Sequence, residues 1–435
     1  MSRTLVIPSF SKNLAQGWYS NFFSFTLKMF ALYLIFGNIF RFVEISIFRD
    51  KVLISEFFIY LLSAIAFLLS RNYVRIYFFS FALLVFFSTG YGAFINGFSF
   101  KAFIYALRLV VMVFSGVIMG EILFRQYKFR LEDVLLFFVK TYFLCALISF
   151  IIYLAFPSSP QFWLFLQLFG INFMGDPHYG RLISSYLDPN FFGAIAVLPF
   201  LLSWILKETS AKSIYKHIYI VFIIAILLTW SRSGIATLAC LFLYLGWEKI
   251  RSRFIVKQKN VWGFLTILAL IATTIGIFFD RFRFFFDRFL HMGSDKSASS
   301  RWESFTLGAS LFKENPLGLG YNYLSVVIGE SSGAYSLDSS LLATLVNFGL
   351  FLFTIFSVIY CFIIVKSFYE YKKISKNNPI LFRTFKFLLV YLNVIIVFTS
   401  HFNNIIYYQF WLIPVIAIFT YLNCYKTNLI RVYRT

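Results

Sequence analysis

Charged residues are scarce in this chain, and acidic residues are scarcer than basic ones. Only 13% of the 435 residues are charged, with 18 Asp and Glu against 39 Lys and Arg, while 60% are hydrophobic and 22% are aromatic. A water-soluble fold of this length has too little interior volume to hide so much apolar surface. The composition therefore excludes an ordinary soluble domain.

Metal-binding cysteine motifs and nucleotide-binding loops, which many soluble enzymes use, are also absent from the sequence. The chain has only four cysteines, and all of them lie in or at the edge of apolar runs, without the spacing of a metal site. No Gly-rich nucleotide cradle of the GxxxxGK[ST] type occurs in the basic loops. Chemistry driven by a cytoplasmic nucleotide is therefore not expected.

Long apolar runs dominate what remains. A run of about 20 residues crosses a bilayer as a helix, because backbone groups in hydrocarbon must be satisfied internally. We therefore predict an all-α fold, a single polytopic membrane domain over residues 1–435 with about twelve transmembrane helices. The predicted spans are 22–40, 53–70, 76–95, 102–124, 135–156, 191–206, 217–230, 234–247, 263–278, 339–365, 386–400 and 407–424. A broken or re-entrant pair is the alternative for 217–247.

The basic residues predict the orientation of these helices. A net charge of +21 would suggest nucleic acid in a soluble protein, but membrane proteins keep basic residues in cytoplasmic loops, and we expect no nucleic-acid partner. Most Lys and Arg residues fall in the inner segments if the N-terminus is cytoplasmic. The prediction is a bacterial inner-membrane protein with both termini in the cytoplasm. Two long loops, about 157–190 and 279–338, then face the periplasm and form an active-site cap.

Arginine is the charged side chain that recurs in the segments predicted to face outward. The residues are Arg181, Arg232, Arg281, Arg288 and Arg301. Arginine pairs bidentately with phosphate oxygens and stays charged, so several arginines at lipid depth favour a lipid-linked pyrophosphate. Contact with phospholipid headgroups and snorkelling are the structural alternatives. No close acidic pair accompanies them, so neither a catalytic divalent metal nor another cofactor is predicted.

Three short motifs predict where helices begin. Asp188-Pro189-Asn190 is typical of a capped helix start. Ser300-Arg-Trp-Glu303 has the spacing of a capping box, which predicts a helix that starts there and ends before Asn315. Arg301 would then lie at a positive helix end that suits an anion. Asp338 is either another N-cap or a general base.

Aromatic residues in the second long loop have two possible uses. Residues 280–291 carry phenylalanines at helical spacing with Arg281 and Arg288 on another face, which predicts an amphipathic helix in the membrane surface that could act as a lid. Trp302 and Tyr335 are candidates for stacking on sugar rings. Anchoring at the membrane interface is the commoner role of such residues.

Three pieces of the sequence, taken in order, resemble the bacterial O-antigen polymerase and ligase superfamily (Wzy and WaaL type). The pieces are Arg181 with Asp188-Pro189-Asn190, then Ser231-Arg232-Ser233-Gly234, then Arg301-Trp302 followed by Asn315-Pro316-Leu317-Gly318-Leu319-Gly320 and Asp338-Ser339 up to Gly349. The resemblance covers about residues 175–352. It implies a metal-independent membrane glycosyltransferase of the GT-C class that uses lipid-pyrophosphate-linked sugars.

The resemblance also implies a mechanism and roles for these residues. A sugar hydroxyl of one undecaprenyl-pyrophosphate-linked glycan displaces the lipid pyrophosphate of another, with inversion at the anomeric carbon. We expect binding of pyrophosphate by Arg181, Arg232, Arg288 and Arg301, catalysis by Arg232, Arg301 and Asp338, and substrate contacts from Asn190, Trp302 and Tyr335. The expected partners are lipid-linked glycans, the phospholipid bilayer and a chain-length regulator protein.

One departure from the family pattern favours the polymerase branch. A ligase has His, then Asn, Ser or Gln, then nine residues and Gly, whereas this chain has Asp338-Ser339, nine residues and Gly349. Leu352 also stands where the ligase pattern has a small residue. A ligase remains an alternative, and so does a glycan transporter without chemistry. A transporter needs paired ionisable residues deep in its spans, and Arg108 and Glu121 share a span but are too far apart for a local pair.

Overall fold

The computed structural model is helical over almost all the residues that it describes. These are residues 9–39, 44–47, 50–69, 75–128, 130–156, 158–169, 177–209, 215–254, 296–327, 337–374, 378–401 and 403–432. The first helices are α1 (Ser9–Phe36), α2 (Ile54–Leu69), α3 (Arg75–Asn96), α4 (Phe100–Tyr127), α5 (Leu131–Ala155), α6 (Ser159–Gln167) and α7 (Pro189–Thr209). The later helices are α8 (Tyr215–Leu228), α9 (Arg232–Phe254), α10 (Lys296–Glu314), α11 (Leu324–Val327), α12 (Ser340–Ile374), α13 (Pro379–Val397) and α14 (Gln409–Val432). A 3-10 turn follows α13 at Thr399–His401.

A short antiparallel hairpin in the loop between α1 and α2 was not predicted. Its strands are β1 (Glu44–Ile47) and β2 (Asp50–Leu53), with Glu44 opposite Leu53. Two four-residue strands are below the length at which alternation stands out in a sequence.

The described helices confirm a polytopic membrane protein. Each predicted span coincides with a helix except 263–278, which lies outside the described residues. Within the described part, 6 helices are long and apolar enough to cross a membrane, and three shorter apolar helices accompany them. Twelve spans therefore stay a prediction. Helix α8 has 14 residues and measures about 21 Å, less than the hydrocarbon thickness, so a re-entrant arrangement there stays open.

Contacts gather the segments that were predicted to face outward at one end of the helix bundle. The end of α1 meets the segment before α7, where the Asn38 N–H donates to the Ser185 carbonyl at 3.0 Å. The end of α3 meets the segment after α10, where Asn96 Nδ2 donates to the Leu319 carbonyl at 3.1 Å. We call this the site end. That it faces the periplasm stays a prediction.

Ion pairs lie at the opposite end of the bundle. Arg383 at the start of α13 pairs with Glu208 at the end of α7. Lys386 Nζ lies 2.7 Å from Glu248 Oε1 of α9, and Lys426 of α14 pairs with a carboxylate at the end of α12. The basic segments predicted to be cytoplasmic therefore share one end, which agrees with the alternating course of the helices.

Helices α4 and α14 form the closest-packed pair in the centre of the bundle. A Cβ on Gly116 would lie 2.8 Å from the Ile416 Cβ, and a Cβ on Gly120 would lie 2.5 Å from the Ala417 carbonyl oxygen. Two glycines four apart let the backbones approach, as in many membrane helix pairs. This contact packs the second half of α4 against the first half of α14.

Candidate functional site

Arg181 joins three segments at the site end. Its Nε donates to the Thr229 carbonyl at 2.8 Å, and its Nη2 donates to Asn190 Oδ1 at 2.9 Å. Its Nη1 lies 3.4 Å from Nδ1 of His178. One guanidinium therefore connects the loop before α7, the first turn of α7 and the turn between α8 and α9.

The start of α7 is capped as predicted. Asp188 Oδ1 accepts hydrogen bonds from the backbone N–H groups of Asn190 at 2.6 Å and Phe191 at 3.3 Å, and Pro189 is the first helical residue. Because Asp188 satisfies these amides, the Asn190 side chain is available to hold Arg181. The sequence analysis assigned Asn190 to substrate, a role that stays a prediction. In the structure its amide oxygen orients an arginine.

A buried segment holds Arg181 in position. Residues 182–187 lie in the protein interior although they belong to a loop, and the Leu182 N–H donates to the Leu228 carbonyl at 2.9 Å. Tyr186 is fully buried, and its hydroxyl donates to the Leu34 carbonyl of α1 at 2.7 Å. Burial raises the pKa of Tyr186 well above its usual value, so its hydroxyl stays a donor.

Arg232 is the first residue of α9, as its position between two apolar runs suggested. Ser231 caps this helix, because its Oγ accepts from the Gly234 N–H at 3.2 Å. A Cβ on Gly234 would lie 2.7 Å from the carbonyl carbon of Gly193 in the first turn of α7. Glycine is required for that approach, and it brings the N-terminal ends of α7 and α9 together.

The two adjoining helix ends place positive charge at the site end. A helix N-terminus carries a partial positive charge that suits an anion, although Asp188 and Ser231 already accept from amides of these two ends. Arg181 lies against both ends and Arg232 starts one of them. We call this group the arginine junction (Arg181, Asn190 and Arg232).

The segment 399–409 connects the arginine junction to the start of α12. On one side, the Thr399 and Thr237 hydroxyls are hydrogen-bonded, which ties the segment to α9. On the other side, Ser340 Oγ donates to the Asn403 carbonyl at 2.9 Å. His401 is exposed between them. The segment therefore contacts α9 five residues after Arg232 and contacts α12 two residues after Asp338.

The prediction that Asp338 caps α12 is wrong by one residue. Ser339 is the cap, since its Oγ accepts from the Leu342 N–H at 3.2 Å. The Asp338 backbone N–H instead donates to Ser304 Oγ of α10 at 3.1 Å, and the residue is half-buried. Because capping is done by Ser339, the structural explanation for Asp338 loses its main support.

A break in α12 explains the spacing between Asp338 and Gly349. Gly349 has φ 71° and ψ 171°, which interrupts the helix. The segment 316–320 docks into the break, where the Leu319 N–H donates to the Val346 carbonyl at 2.9 Å and the Leu350 N–H donates to the Pro316 carbonyl at 2.9 Å. The first part of α12, which follows Asp338, is therefore anchored at its C-terminal end by the segment 316–320.

The prediction for the start of α10 is also wrong. This helix is already formed at Lys296 and ends at Glu314, so its end is confirmed but Arg301 lies inside the helix and not at a positive end. The helix continues through the residues before Ser300, so the local capping-box signal does not mark its start. Trp302 is 68% exposed and stacks on Phe305 with ring centroids 6.0 Å apart.

Several predicted site features lie outside the described residues. These are Arg288, Tyr335, the amphipathic helix at 280–291 and the side chain of Arg301. The described part brings together Arg181, Asn190 and Arg232 of the predicted set, and segment 399–409 links the helix that Arg232 starts to the helix that follows Asp338. Sequence reasoning missed His178 and the Thr229 carbonyl, although both flank motifs that it singled out.

Comparison with known proteins gives one match. Residues 217–357 match the family model Wzy_C, described as O-antigen ligase. No curated protein and no solved structure matches the chain. The matched range contains Arg232, Asp338 and Gly349, so it covers two of the three pieces that carry the resemblance. Over residues 217–357 this match supports the O-antigen polymerase and ligase superfamily, and it does not separate the two branches.

Proposed function

We propose that this protein is a polysaccharide polymerase of the bacterial inner membrane. It joins undecaprenyl-pyrophosphate-linked oligosaccharide repeat units at the periplasmic face by metal-independent, inverting glycosyl transfer. The observation that carries the proposal is the arginine junction, where Arg181 and Arg232 lie at the adjoining N-terminal ends of α7 and α9, a combination that would suit an anion. The family match over residues 217–357 supports glycosyl transfer in general.

The proposed reaction uses the two sides of segment 399–409 differently. Arg181 and Arg232 bind the pyrophosphate of the donor and stabilise the negative charge that grows as the bond from its oxygen to the anomeric carbon breaks. The acceptor hydroxyl oxygen forms the new bond to that carbon from the opposite face. Asp338 takes the hydroxyl proton, and undecaprenyl pyrophosphate leaves. The bond that breaks supplies the energy, so no nucleotide is needed.

The test is elongation of purified lipid-linked repeat units by the purified protein, with and without a metal chelator. We expect wild-type activity to survive the chelator. Arg232→Ala lowers the rate by about a hundredfold or more, since one donor to a developing charge is lost. Arg301→Ala and Asp338→Asn are assayed beside it.

Arg130→Ala is the matched control for these substitutions. Arg130 is 66% exposed, pairs with Asp133 across one helical turn and lies 5.8 Å from the centre of the Tyr127 ring, so its loss removes the same charge from a surface position of little energetic weight. Full activity in Arg232→Ala and Arg301→Ala would remove the site assignment. Loss of wild-type activity with chelator would contradict the metal-free mechanism.

The description of the matched family favours a ligase as the second candidate. A ligase would transfer the glycan to a lipid A core acceptor and would leave lipid-linked repeat units alone at their original length. A transporter would move lipid-linked repeats across liposomes without lengthening them. The same assay with and without the lipid A core therefore separates the three functions.

A further inference from the structure

A second polar site lies beside the start of α12, away from the arginine junction. Arg108, about two turns into α4, donates from Nη2 to Gln409 Oε1 at 3.2 Å. This bond fixes which end of the Gln409 amide is oxygen. Arg108 and Gln409 thereby connect the beginnings of α4 and α14 inside the apolar part of the protein.

Gln409 is one of four carboxamide residues in the segments that meet here, and each of the four has an unsatisfied polar atom. Gln409 Nε2, Asn403 Nδ2, Asn347 Oδ1 and Asn404 Oδ1 are buried and have no hydrogen-bond partner among the described residues. Gln409, Asn403 and Asn347 are only 2%, 6% and 9% exposed. We call these four residues the carboxamide cluster. Unsatisfied buried amides are costly, and several close together are unusual in a stable interior.

Hydrogen bonds join the segment that carries Asn403, Asn404 and Gln409 to the start of α12. Ser340 Oγ donates to the Asn403 carbonyl at 2.9 Å, and Ser340 lies two residues after Asp338. Farther along the same helix, the hydroxyls of Thr344 and Tyr407 are 2.7 Å apart. The backbone of Asn403 therefore contacts Ser340, which is two residues from the candidate general base.

Two tyrosines from different loops line the same region. The Tyr321 and Tyr407 rings lie 6.0 Å apart. Burial raises the pKa of Tyr407 to about 12, so its hydroxyl stays protonated at neutral pH. Burial also raises the pKa of Tyr321, while the positive charge of Arg108 acts to lower it, as expected for neighbours. The aromatic rings and neutral hydroxyls of Tyr321 and Tyr407 therefore lie in the same region as the buried amides.

The mixture of donors and acceptors among the unsatisfied atoms indicates which kind of ligand would satisfy them. Two of the four atoms are N–H donors and two are carbonyl acceptors. An anion would satisfy only the donors, whereas a sugar hydroxyl both donates and accepts. We propose that the carboxamide cluster binds the acceptor sugar and presents its hydroxyl to Asp338. This inference rests on the proposed function, because it names the acceptor subsite of that reaction.

The arrangement assigns donor and acceptor to opposite sides of segment 399–409. Thr399 contacts α9 next to the arginine junction, and Asn403 contacts α12 next to Asp338. Donor pyrophosphate and acceptor sugar then approach from two sides, which in-line displacement requires. Gln409 and Asn403 are positioning residues in this scheme, and they bind the acceptor without taking part in bond breaking.

The test measures binding of a probe that lacks pyrophosphate. The probe is the free oligosaccharide repeat released by mild acid from the lipid carrier of the producing strain, titrated into full-length protein in nanodiscs. We expect Gln409→Leu and Asn403→Leu each to weaken binding by about tenfold, the effect of one net hydrogen bond. Binding of undecaprenyl pyrophosphate without sugar should not change. In elongation assays, KM for the acceptor repeat should rise more than kcat falls.

Asn428→Leu is the matched control, because its side chain donates only to the Cys424 carbonyl of its own helix at 2.8 Å, near the opposite end of the bundle. Melting temperatures establish that each variant is folded. Unchanged oligosaccharide affinity in both folded variants would overturn the proposal and show that the amides are structural. A wild-type protein that elongates lipid-linked repeats but binds no free oligosaccharide would overturn it as well.

The two proposals can fail separately. Oligosaccharide binding that depends on Gln409, in a protein that never elongates glycan, would sustain the acceptor subsite and reject the polymerase. Elongation by Gln409→Leu with unchanged acceptor KM would sustain the polymerase and reject the subsite.

Discussion

At the residue scale, the connection between α7 and the turn before α9 depends on the planar shape of the Arg181 guanidinium. Arg181 holds a backbone carbonyl and a side-chain amide oxygen at 2.8 and 2.9 Å with donors that point in different directions. A lysine ammonium is a point charge on a flexible stem and cannot reproduce this fork. Arg181 therefore acts first as a connector of α7 with the turn before α9, and its charge serves the site second.

Arg181→Lys tests this distinction against Arg232→Lys. In Arg181→Lys we expect a lower melting temperature together with an activity loss of about tenfold or more, because two charge-assisted hydrogen bonds are strained or lost. Arg232→Lys should lose activity with little change in melting temperature. Thermal unfolding in detergent and elongation of lipid-linked repeats give the two readouts. Equal melting temperatures for Arg181→Lys and wild type would contradict the connector role.

At the element scale, the broken helix α12 determines where Asp338 lies. The break frees carbonyls that a continuous helix would use, and the segment 316–320 satisfies them through the Leu319 and Gly320 N–H groups. Gly318 and Gly349 are in close contact across this junction, with both at positive φ. The family pattern has a glycine after Asp338-Ser339 and nine intervening residues. The break in the helix explains why that residue, Gly349, is a glycine.

Gly349→Ala tests the break. A Cβ there would lie 2.1 Å from the Leu317 carbonyl carbon, and the backbone conformation is one that only glycine adopts readily. We expect a destabilisation of at least about 2 kcal/mol and loss of elongation activity. Gly90→Ala is the control, since a Cβ at Gly90 in α3 meets nothing within 4 Å, and alanine favours helix. Similar melting temperatures for both variants would contradict the docking.

At the scale of the whole molecule, the two ends of the bundle differ in chemistry. The site end is rich in amides, hydroxyls and helix N-termini, and the opposite end carries ion pairs between helix ends. Membrane insertion leaves basic residues on the cytoplasmic side. We therefore predict that the site end faces the periplasm.

Cysteine labelling in cells measures this orientation. In a background without the four native cysteines, His401→Cys at the site end and Lys373→Cys at the opposite end both introduce thiols at exposed positions. A membrane-impermeant maleimide should label His401→Cys in spheroplasts and should label Lys373→Cys only after lysis. The reverse pattern would place the arginine junction on the cytoplasmic side and would contradict the proposed function.

The sequence alone predicted the elements well. Apolar runs of bilayer length placed the long helices, and Asp188-Pro189-Asn190 located the start of α7 correctly. These signals are local, because hydrophobic length and capping are properties of neighbouring residues. The same locality explains the errors at Ser300 and Asp338, where a capping motif was present but the helix begins elsewhere.

What the sequence determined by itself is a membrane protein made of helices, with arginines gathered near one set of helix ends. What only the tertiary structure decided is which of these side chains meet. Arg181 and Thr229 are 48 residues apart, and Arg108 and Gln409 are 301 apart. Such pairs form because glycine contacts and docked loops bring distant helix ends together, and no periodicity in the chain records that packing.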